Sequence, residues 1–357
     1  MLNSTTMSNI NNILKQINNL DTSELKEITE KLLQMLSNAD GAASCVSVDK
    51  CRKCDSNDIV RFGKDKNGKQ RYKCKSCGAT FTFTSYSVMA NTRHSYGTWK
   101  KYLSLLLEGA SLYKCASVCK ISVQTAFTWR HKILNALQND QNNRCLAGIV
   151  EVDEMFVSVS YKGNHSKSKR FKMPRDAYHR GSDNKSATGA KACVMYAVER
   201  NGQTYGECIG KGQPTPLKVA YSFENRIMPE SIVISDGAGS IKKFYENIPN
   251  IDLVQLKSPE TAKRNKEVYF RVLDGVYHIQ TVNNLHTRFR KFMKKYNGVA
   301  TKYLNHYVNL FVWIENYKKI NNVDINKELL EYALTKNTYI CAKDFLNMPP
   351  IPVPCVA

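Results

Sequence analysis

The sequence contains no run of about 18 apolar residues, so it predicts no membrane-spanning helix and no membrane partner. The opening residues, MLNSTTMSNINN, lack a basic segment followed by an apolar one, and we expect no secretory signal. Acidic residues are scarce: 31 Asp and Glu stand against 52 Lys and Arg, which gives a net charge of +21. This excess favours a polyanionic partner, most often nucleic acid.

The chain also lacks the cysteine pattern of a disulfide-stabilised secreted domain, although it has 12 cysteines. Four of them form two Cys-x-x-Cys pairs, Cys51 with Cys54 and Cys74 with Cys77. Four thiolates at this spacing close a tetrahedron around Zn²⁺ and leave no position open for water. We therefore predict a structural Zn²⁺ in a zinc ribbon, with four reduced core cysteines as the alternative. The many Lys and Arg residues around the ribbon predict contact with phosphates.

Periodicity and composition divide the chain into five predicted segments. Residues 1–44 form an N-terminal helical arm with a helix N-cap near Asp21, and a dimerisation hairpin and a loosely attached arm fit it equally well. Residues 45–85 form the zinc ribbon and residues 86–144 a helix-turn-helix domain. Residues 145–322 alternate strands and helices, and residues 323–357 hold a helix and a Pro-rich tail.

Two predicted features favour DNA as the polyanion. A helix, a short turn and a second helix that begins near Ser122 have helix-turn-helix spacing, in which Ser122 caps the second helix. The residues expected to point outward to a groove are Gln124, Thr125, Thr128 and Arg130. A basic stretch over residues 161–191 suits a phosphate backbone, and its candidate contacts are Lys169, Arg170 and Lys172. A helix pair packed only for structure and a merely solvated charged loop are the alternatives.

The strand Ile149–Phe156 carries Glu151 and Asp153 on one face and Glu154 on the other. By itself this alternation is typical of a sheet edge that faces water. Asp236 ends a second apolar strand, just before Gly237, in what could equally be an ordinary turn. Two carboxylates that converge from two strands repel each other unless a divalent cation neutralises them. Mg²⁺ completed by phosphate oxygens is the usual solution in phosphoryl transfer.

A third stretch, predicted to be a helix from about Val282, places Asn283, His286 and Arg290 on one face. An Asn carbonyl oxygen can bind a metal, and an Arg one turn further can stabilise charge on a phosphate. The alternative is that Asn283 is an N-cap and the cations form a solvated face.

Taken in order, the zinc ribbon, the helix-turn-helix and the motifs V-D-E, S-D-G, V-N-x-x-H-T and G-V-A-T-K-Y-L resemble an insertion-sequence DNA transposase. The resemblance is to the ISXO-like branch of the DDE superfamily, over about residues 48–315. It implies a multidomain α/β protein with N-terminal helices, a zinc ribbon and a helix-turn-helix. The implied catalytic core is a ribonuclease-H-like mixed β-sheet flanked by helices.

The resemblance implies that Asp153 and Asp236 hold Mg²⁺ or Mn²⁺, and that Asn283 stands where other DDE enzymes have a third carboxylate. The family has a Lys seven residues later, where this chain has Arg290. Because Arg is no close substitute for Lys, Lys291 is an alternative for that role.

The other carboxylates of the chain can be compared with the catalytic positions that the resemblance implies. Asp274 and Glu315 are fallback third ligands. Glu151 matches no catalytic position, so it is expected behind the site or in solvent, and Glu154 is expected to be structural.

The implied activity is binding to the ends of a mobile element, followed by metal-dependent phosphodiester cleavage and strand transfer. Its partners would be terminal inverted repeats, target DNA and further copies of the chain, as a homodimer or higher oligomer on DNA. The expected location is the bacterial-type cytoplasm, at the nucleoid. Two alternatives remain: a sequence-specific DNA-binding regulator on an inactive core, and a ribonuclease-H-like nuclease that does not join strands.

Overall fold

The structure is a computed structural model. It describes residues 21, 23–25, 27, 48–65, 69–163, 191–200, 202–246, 248–257, 263, 277–320, 324–335 and 338–352. The chain divides into two compact units, residues 1–83 with 91–104 and residues 84–90 with 105–357. Of the predicted arm, the structure describes the N-cap: Oδ1 of Asp21 accepts the N–H groups of Ser23 and Glu24 at 2.7 and 2.9 Å. The five segment boundaries stay predictions.

The first unit contains a small antiparallel sheet of three strands, β1 (Ile59–Lys64), β2 (Gln70–Cys74) and β3 (Thr80–Thr82), in the order β1-β2-β3. Its core consists of Cys51, Cys74 and Phe81, with Tyr72 stacked on Phe81. A core of this size buries too little apolar surface to hold a sheet together without a metal or disulfide.

Within residues 69–163, which the structure describes without a gap, four helices precede the large sheet: α1 (Tyr96–Leu107), α2 (Leu112–Cys119), α3 (Val123–Ala136) and α4 (Gln138–Asn142). As predicted, Ser122 caps α3, because its Oγ accepts the N–H of Thr125 at 3.0 Å. Lys120 ends α2 in the left-handed conformation, with a φ of 52°, and so makes the turn between the helices. Cys115 and Cys119 are buried, as expected of core residues.

The large sheet has five strands: β4 (Ile149–Ser158), β5 (Lys191–Glu199), β6 (Thr204–Lys211), β7 (Ser231–Asp236) and β8 (Ile251–Leu256). Their spatial order is β6-β5-β4-β7-β8. Strands β4, β5 and β6 pair antiparallel, whereas β4, β7 and β8 pair parallel. This mixed sheet confirms the predicted α/β fold class. The central strand, β4, is the one that carries Asp153.

Helices cover both faces of the sheet. On one face, α5 (Pro216–Phe223) and α6 (Gly239–Tyr245) pack on Val150 and Val152 of β4. On the other, α7 (Gln280–Lys294) and α8 (Leu304–Tyr317) pack on Met155, with a 3-10 turn at Thr301–Tyr303 between them. Helices α9 (Ile325–Thr335) and α10 (Ala342–Leu346) follow. None of the described helices has the length and apolarity that crossing a membrane requires.

Candidate metal centres and active site

The four predicted zinc ligands lie together. The Sγ atoms of Cys51 and Cys77 are 3.7 Å apart, as are those of Cys54 and Cys74, and all four sulfurs lie within 4.8 Å of one another. None of the four takes part in a disulfide. Sulfurs bound to Zn²⁺ at about 2.3 Å in a tetrahedron are about 3.8 Å apart, so the cluster has the dimensions of a structural zinc site.

The predicted catalytic carboxylates also meet. Asp153 lies on β4 and Asp236 at the end of β7, and the parallel pairing of Val152 with Ser235 sets the two aspartates side by side. One carboxylate oxygen from each of Asp153, Glu154 and Asp236 lies within 4.8 Å of the others, and we call these three residues the carboxylate group. Asp153 is buried, with 9% of its surface exposed.

The presence of Glu154 in this group corrects the expectation that it is structural. Neighbouring residues of a strand point to opposite faces, and that rule separated Glu154 from Asp153. However, β7 ends at Asp236 while β4 continues to Ser158, so Glu154 has no residue of β7 beside it. Its side chain reaches Asp236 at this open edge, and its Oε2 is buried with no hydrogen-bond partner among the described residues.

The electrostatics of the carboxylate group call for a cation. Burial, and next the charges of Asp236 and Glu154, raise the pKa of Asp153 to about 8. Burial and then Asp236 raise the pKa of Glu154 to about 7, and burial raises the pKa of Asp236. Like charges in a poorly solvated place favour the protonated acids unless a cation is present. Hard oxygen ligands in this arrangement fit Mg²⁺ or Mn²⁺.

Helix α7 borders the carboxylate group. Nδ1 of His286 lies 3.7 Å from Oδ2 of Asp153, and His286 is 3% exposed. Burial, and next the charge of Arg290, lower the pKa of His286 to about 4, so the ring is neutral at pH 7. The same charge opposes the rise in the pKa of Asp153. The side of α7 that carries His286 and Arg290 therefore faces the carboxylates, and Asn283, which is exposed, lies one turn earlier.

Other predicted candidates lie apart from this group or outside the described residues. Glu315 on α8 accepts a hydrogen bond from Nε of Arg288 on α7 at 2.9 Å, so this fallback ligand is already paired with a cation. Lys291 is exposed on α7. Four further candidates lie outside the described residues: Asp274, Lys169, Arg170 and Lys172.

Glu151 is fully buried, which excludes the expectation that it faces solvent. Its carboxylate accepts hydrogen bonds from the first turn of α7, at Thr281 and Val282. Spacing alone could not reveal this contact, because it joins residues 130 positions apart.

Comparison with known proteins identifies the region around this site. Residues 145–316 match the family model of the ISXO2-like transposase domain. This part of the chain is similar to ISXO2-like transposase domains. It contains the whole carboxylate group, Asn283 and Arg290. No curated protein matches the chain.

Two solved structures show weak similarity to this chain. One is "Crystal structure of a pre-cleavage Mos1 transpososome", with 12% identity, a TM-score of 0.19, and coverage of 67% of this chain and 78% of that one. The other is "Crystal structure of the Mos1 Strand Transfer Complex", with 13% identity, a TM-score of 0.18, and coverage of 55% and 77%. Scores this low support no inference about fold or function.

Upstream of the matched region, the four predicted helix-turn-helix residues do not all point outward. Gln124 is exposed, and Thr125 and Thr128 are partly buried. Arg130 is 3% exposed and donates from Nη2 to the Ala110 carbonyl at 2.6 Å, which corrects the prediction that it faces a groove. The reason is helical periodicity: Arg130 follows Ala126 by four residues, and Ala126 lies on the buried face of α3.

Proposed function

We propose that the chain is a transposase that cleaves phosphodiesters at the ends of a mobile element and transfers the cut strand to target DNA, using a divalent metal. The observation that carries this proposal is the carboxylate group. Two aspartates from adjacent parallel strands meet within 4.8 Å beside a basic helix, inside the region that matches a transposase family. Such a group can bind a cation between protein and phosphate.

Asp153 and Asp236 would hold Mg²⁺ or Mn²⁺, with Glu154 or Asn283 as a further ligand. When bound, the metal polarises the phosphodiester and favours the deprotonated form of the attacking water or DNA 3′-OH. His286 stays neutral, so it adds no positive charge that competes for Asp153. The guanidinium of Arg290 would stabilise charge that develops on the phosphate.

The DNA-binding modules would recognise the element's ends, as a homodimer or higher oligomer that brings two ends together. Gln124, exposed in the first turn of the capped helix α3, is the best placed of the four helix-turn-helix candidates. A structural Zn²⁺ would hold the ribbon, and residues 161–191 would contact flanking phosphates. This activity would place the protein at the bacterial nucleoid, in the cytoplasm.

The proposal is tested with Asp153→Asn and Asp236→Asn, which keep side-chain volume and remove charge. Asp252→Asn, at an exposed carboxylate on β8, is the matched control. The substrate is linear DNA from both flanks of the gene, with Mg²⁺ or Mn²⁺. We expect each site variant to lose about a thousandfold or more of the cleavage rate. End binding in a gel-shift assay should survive, and the control should behave as wild type.

The products separate the alternatives. Wild-type activity in Asp153→Asn would refute the assignment of this site. Nicked DNA without joined products would instead indicate the nuclease, and tight end binding without any cleavage by the wild-type chain would indicate the regulator.

A further inference from the structure

A buried carboxylate outside the carboxylate group holds the first turn of α7. Oε2 of Glu151 accepts the backbone N–H of Thr281 at 2.8 Å and that of Val282 at 3.1 Å, and Oε1 accepts the Thr281 hydroxyl at 2.8 Å. Ile279, at the N-cap position of α7, offers no side-chain cap. Glu151 therefore supplies from β4 the cap that the helix lacks in its own sequence. A carboxylate there also complements the helix dipole.

Two further nitrogen atoms lie against the same carboxylate. Nη2 of Arg200, just after β5, is 3.4 Å from Oε1, and Nδ1 of His278, just before α7, is 3.2 Å from it. Burying a carboxylate is costly unless donors surround it, and here the donors come from two segments, the first turn of α7 and Arg200 after β5. The contact therefore ties the start of α7 to two strands of the sheet.

The contact between Glu151 and Thr281 is related by its geometry to the contact between Asp153 and His286. Glu151 and Asp153 project from the same face of β4, two residues or about 7 Å apart along the strand. Their partners on α7, Thr281 and His286, are separated by five residues, or about 7.5 Å along a helix. Strand and helix therefore run in the same direction with matching spacing. Two contacts at this separation determine both the position of α7 along β4 and its rotation.

We propose that Glu151 is a positioning residue, which places α7 so that Asn283 and His286 stand against Asp153 during strand cleavage. Its effect on reaction rate rests on the proposed transposase activity, whereas its effect on the helix does not. Glu151 is fully buried and is not one of the three residues of the carboxylate group, so we expect it to affect the site through α7 rather than by contact with DNA.

The test compares Glu151→Gln with Glu199→Gln. Glu199 is a matched control, because its carboxylate also accepts two backbone N–H groups, those of Ala147 and Gln203, each at 2.7 Å. Amide exchange, the NMR signal of the His286 ring and single-turnover cleavage are measured where all variants are folded. For Glu151→Gln we expect about tenfold or faster exchange at Thr281 and Val282. We also expect a shifted His286 signal, and cleavage about ten- to a hundredfold slower at saturating DNA.

Glu199→Gln should leave the amide exchange at Thr281 and Val282, the His286 NMR signal and the cleavage rate unchanged. An unmoved His286 signal with wild-type exchange at Thr281 overturns the proposal, whatever the activity. Faster exchange with an unchanged cleavage rate also overturns it, because Glu151 would then be only structural. If the wild-type chain cleaves no DNA, the proposed function fails, and the exchange and NMR measurements still decide whether Glu151 positions α7. Should Glu151→Gln fold poorly, Thr281→Val removes the hydroxyl donor from the helix side and is measured in the same way.

Discussion

Nδ1 of His286 and Oδ2 of Asp153 lie 3.7 Å apart, so α7 lies directly beside the carboxylate group. The ring is buried against Tyr196 of β5, whose centroid is 5.5 Å from it. Since burial keeps His286 neutral, the positive charge on this side of α7 comes from Arg290, one turn further along. The helix thus presents two different groups to the site, a neutral ring beside Asp153 and a charged guanidinium one turn further along.

The third metal ligand can be identified by comparing two substitutions. Glu154→Gln removes a charge that lies within 4.8 Å of the aspartates, whereas Asn283→Ala removes only a neutral amide. We expect Glu154→Gln to weaken Mn²⁺ binding about tenfold or more, since an anionic oxygen binds a hard cation more strongly than an amide does. Isothermal titration with Mn²⁺ measures this directly. Glu246→Gln, at an exposed carboxylate, should bind as wild type. A large loss in Asn283→Ala alone would instead favour the family pattern.

Arg290 is the cation that we expect to act on the phosphate. Its charge reaches both Asp153 and His286, which places it on the side of α7 that borders the site. Arg290→Ala should lower the single-turnover rate about a hundredfold without weakening Mn²⁺ binding, and Arg290→Lys should restore most of that loss. Lys291→Ala is the matched comparison on the next residue. If Lys291→Ala were the more damaging change, the catalytic cation would have been assigned to the wrong position.

The zinc ribbon should bind one Zn²⁺ per chain, which elemental analysis of the purified protein can count. Cys54→Ser should lose the metal and, with it, the protection of the β1–β3 amides from exchange, because binding energy of about 10 kcal/mol or more is coupled to folding in such small sites. Cys145→Ser, at an exposed cysteine outside the cluster, should keep its zinc. Retention of a full equivalent by Cys54→Ser would exclude the four-sulfur site.

A buried histidine pair should make the fold sensitive to acid. Nδ1 of His131 on α3 and Nδ1 of His306 on α8 are 2.8 Å apart. Burial, and next the neighbouring His306, put the pKa of His131 well below its ordinary value, and burial lowers the pKa of His306 to about 4. Both pKa values are lower in the folded chain than in the unfolded one, so unfolding takes up protons below pH 6.5. The stability that the pair contributes is present above that pH and is lost as the pH falls toward 4.

Urea unfolding at several pH values between 7.5 and 4.5 measures this dependence. His306→Gln should flatten it, and the exposed His94→Gln should not. The carboxylate group contributes equally to all three proteins and cancels in the comparison. An unchanged slope in His306→Gln would mean that the pair is not the source.

The sequence predicted features that depend on neighbours along the chain. The two Cys-x-x-Cys pairs predict zinc ligands because the spacing of the cysteines is a local property of the sequence. Ser122 is recognisable as a cap from its position before a helical pattern. The order of strands, with Asp153 and Asp236 on two of them, was sufficient to predict that they meet. The mixed sheet confirms that prediction of fold class.

What the sequence could not predict depends on where distant segments end or pack. Glu154 joins the carboxylate group because β7 stops at Asp236, a fact that no pattern around Glu154 contains. Glu151 is buried because α7 arrives 130 residues later. Arg130 is buried because the apolar face of α3 packs inward, and periodicity did contain a signal for that: the residue lies on the same face as Ala126.

The alternation of side chains between the two faces of β4 makes the site sensitive to the length of this strand. Glu151 and Asp153 share a face, and both have their partners on α7. A point substitution in β4 alters one contact, but deletion of a single residue turns every later side chain to the opposite layer. Deletion of Val152 would therefore place Glu151 and Asp153 on opposite faces of β4 while leaving both residues in the chain. We therefore expect related chains to keep the length of this strand.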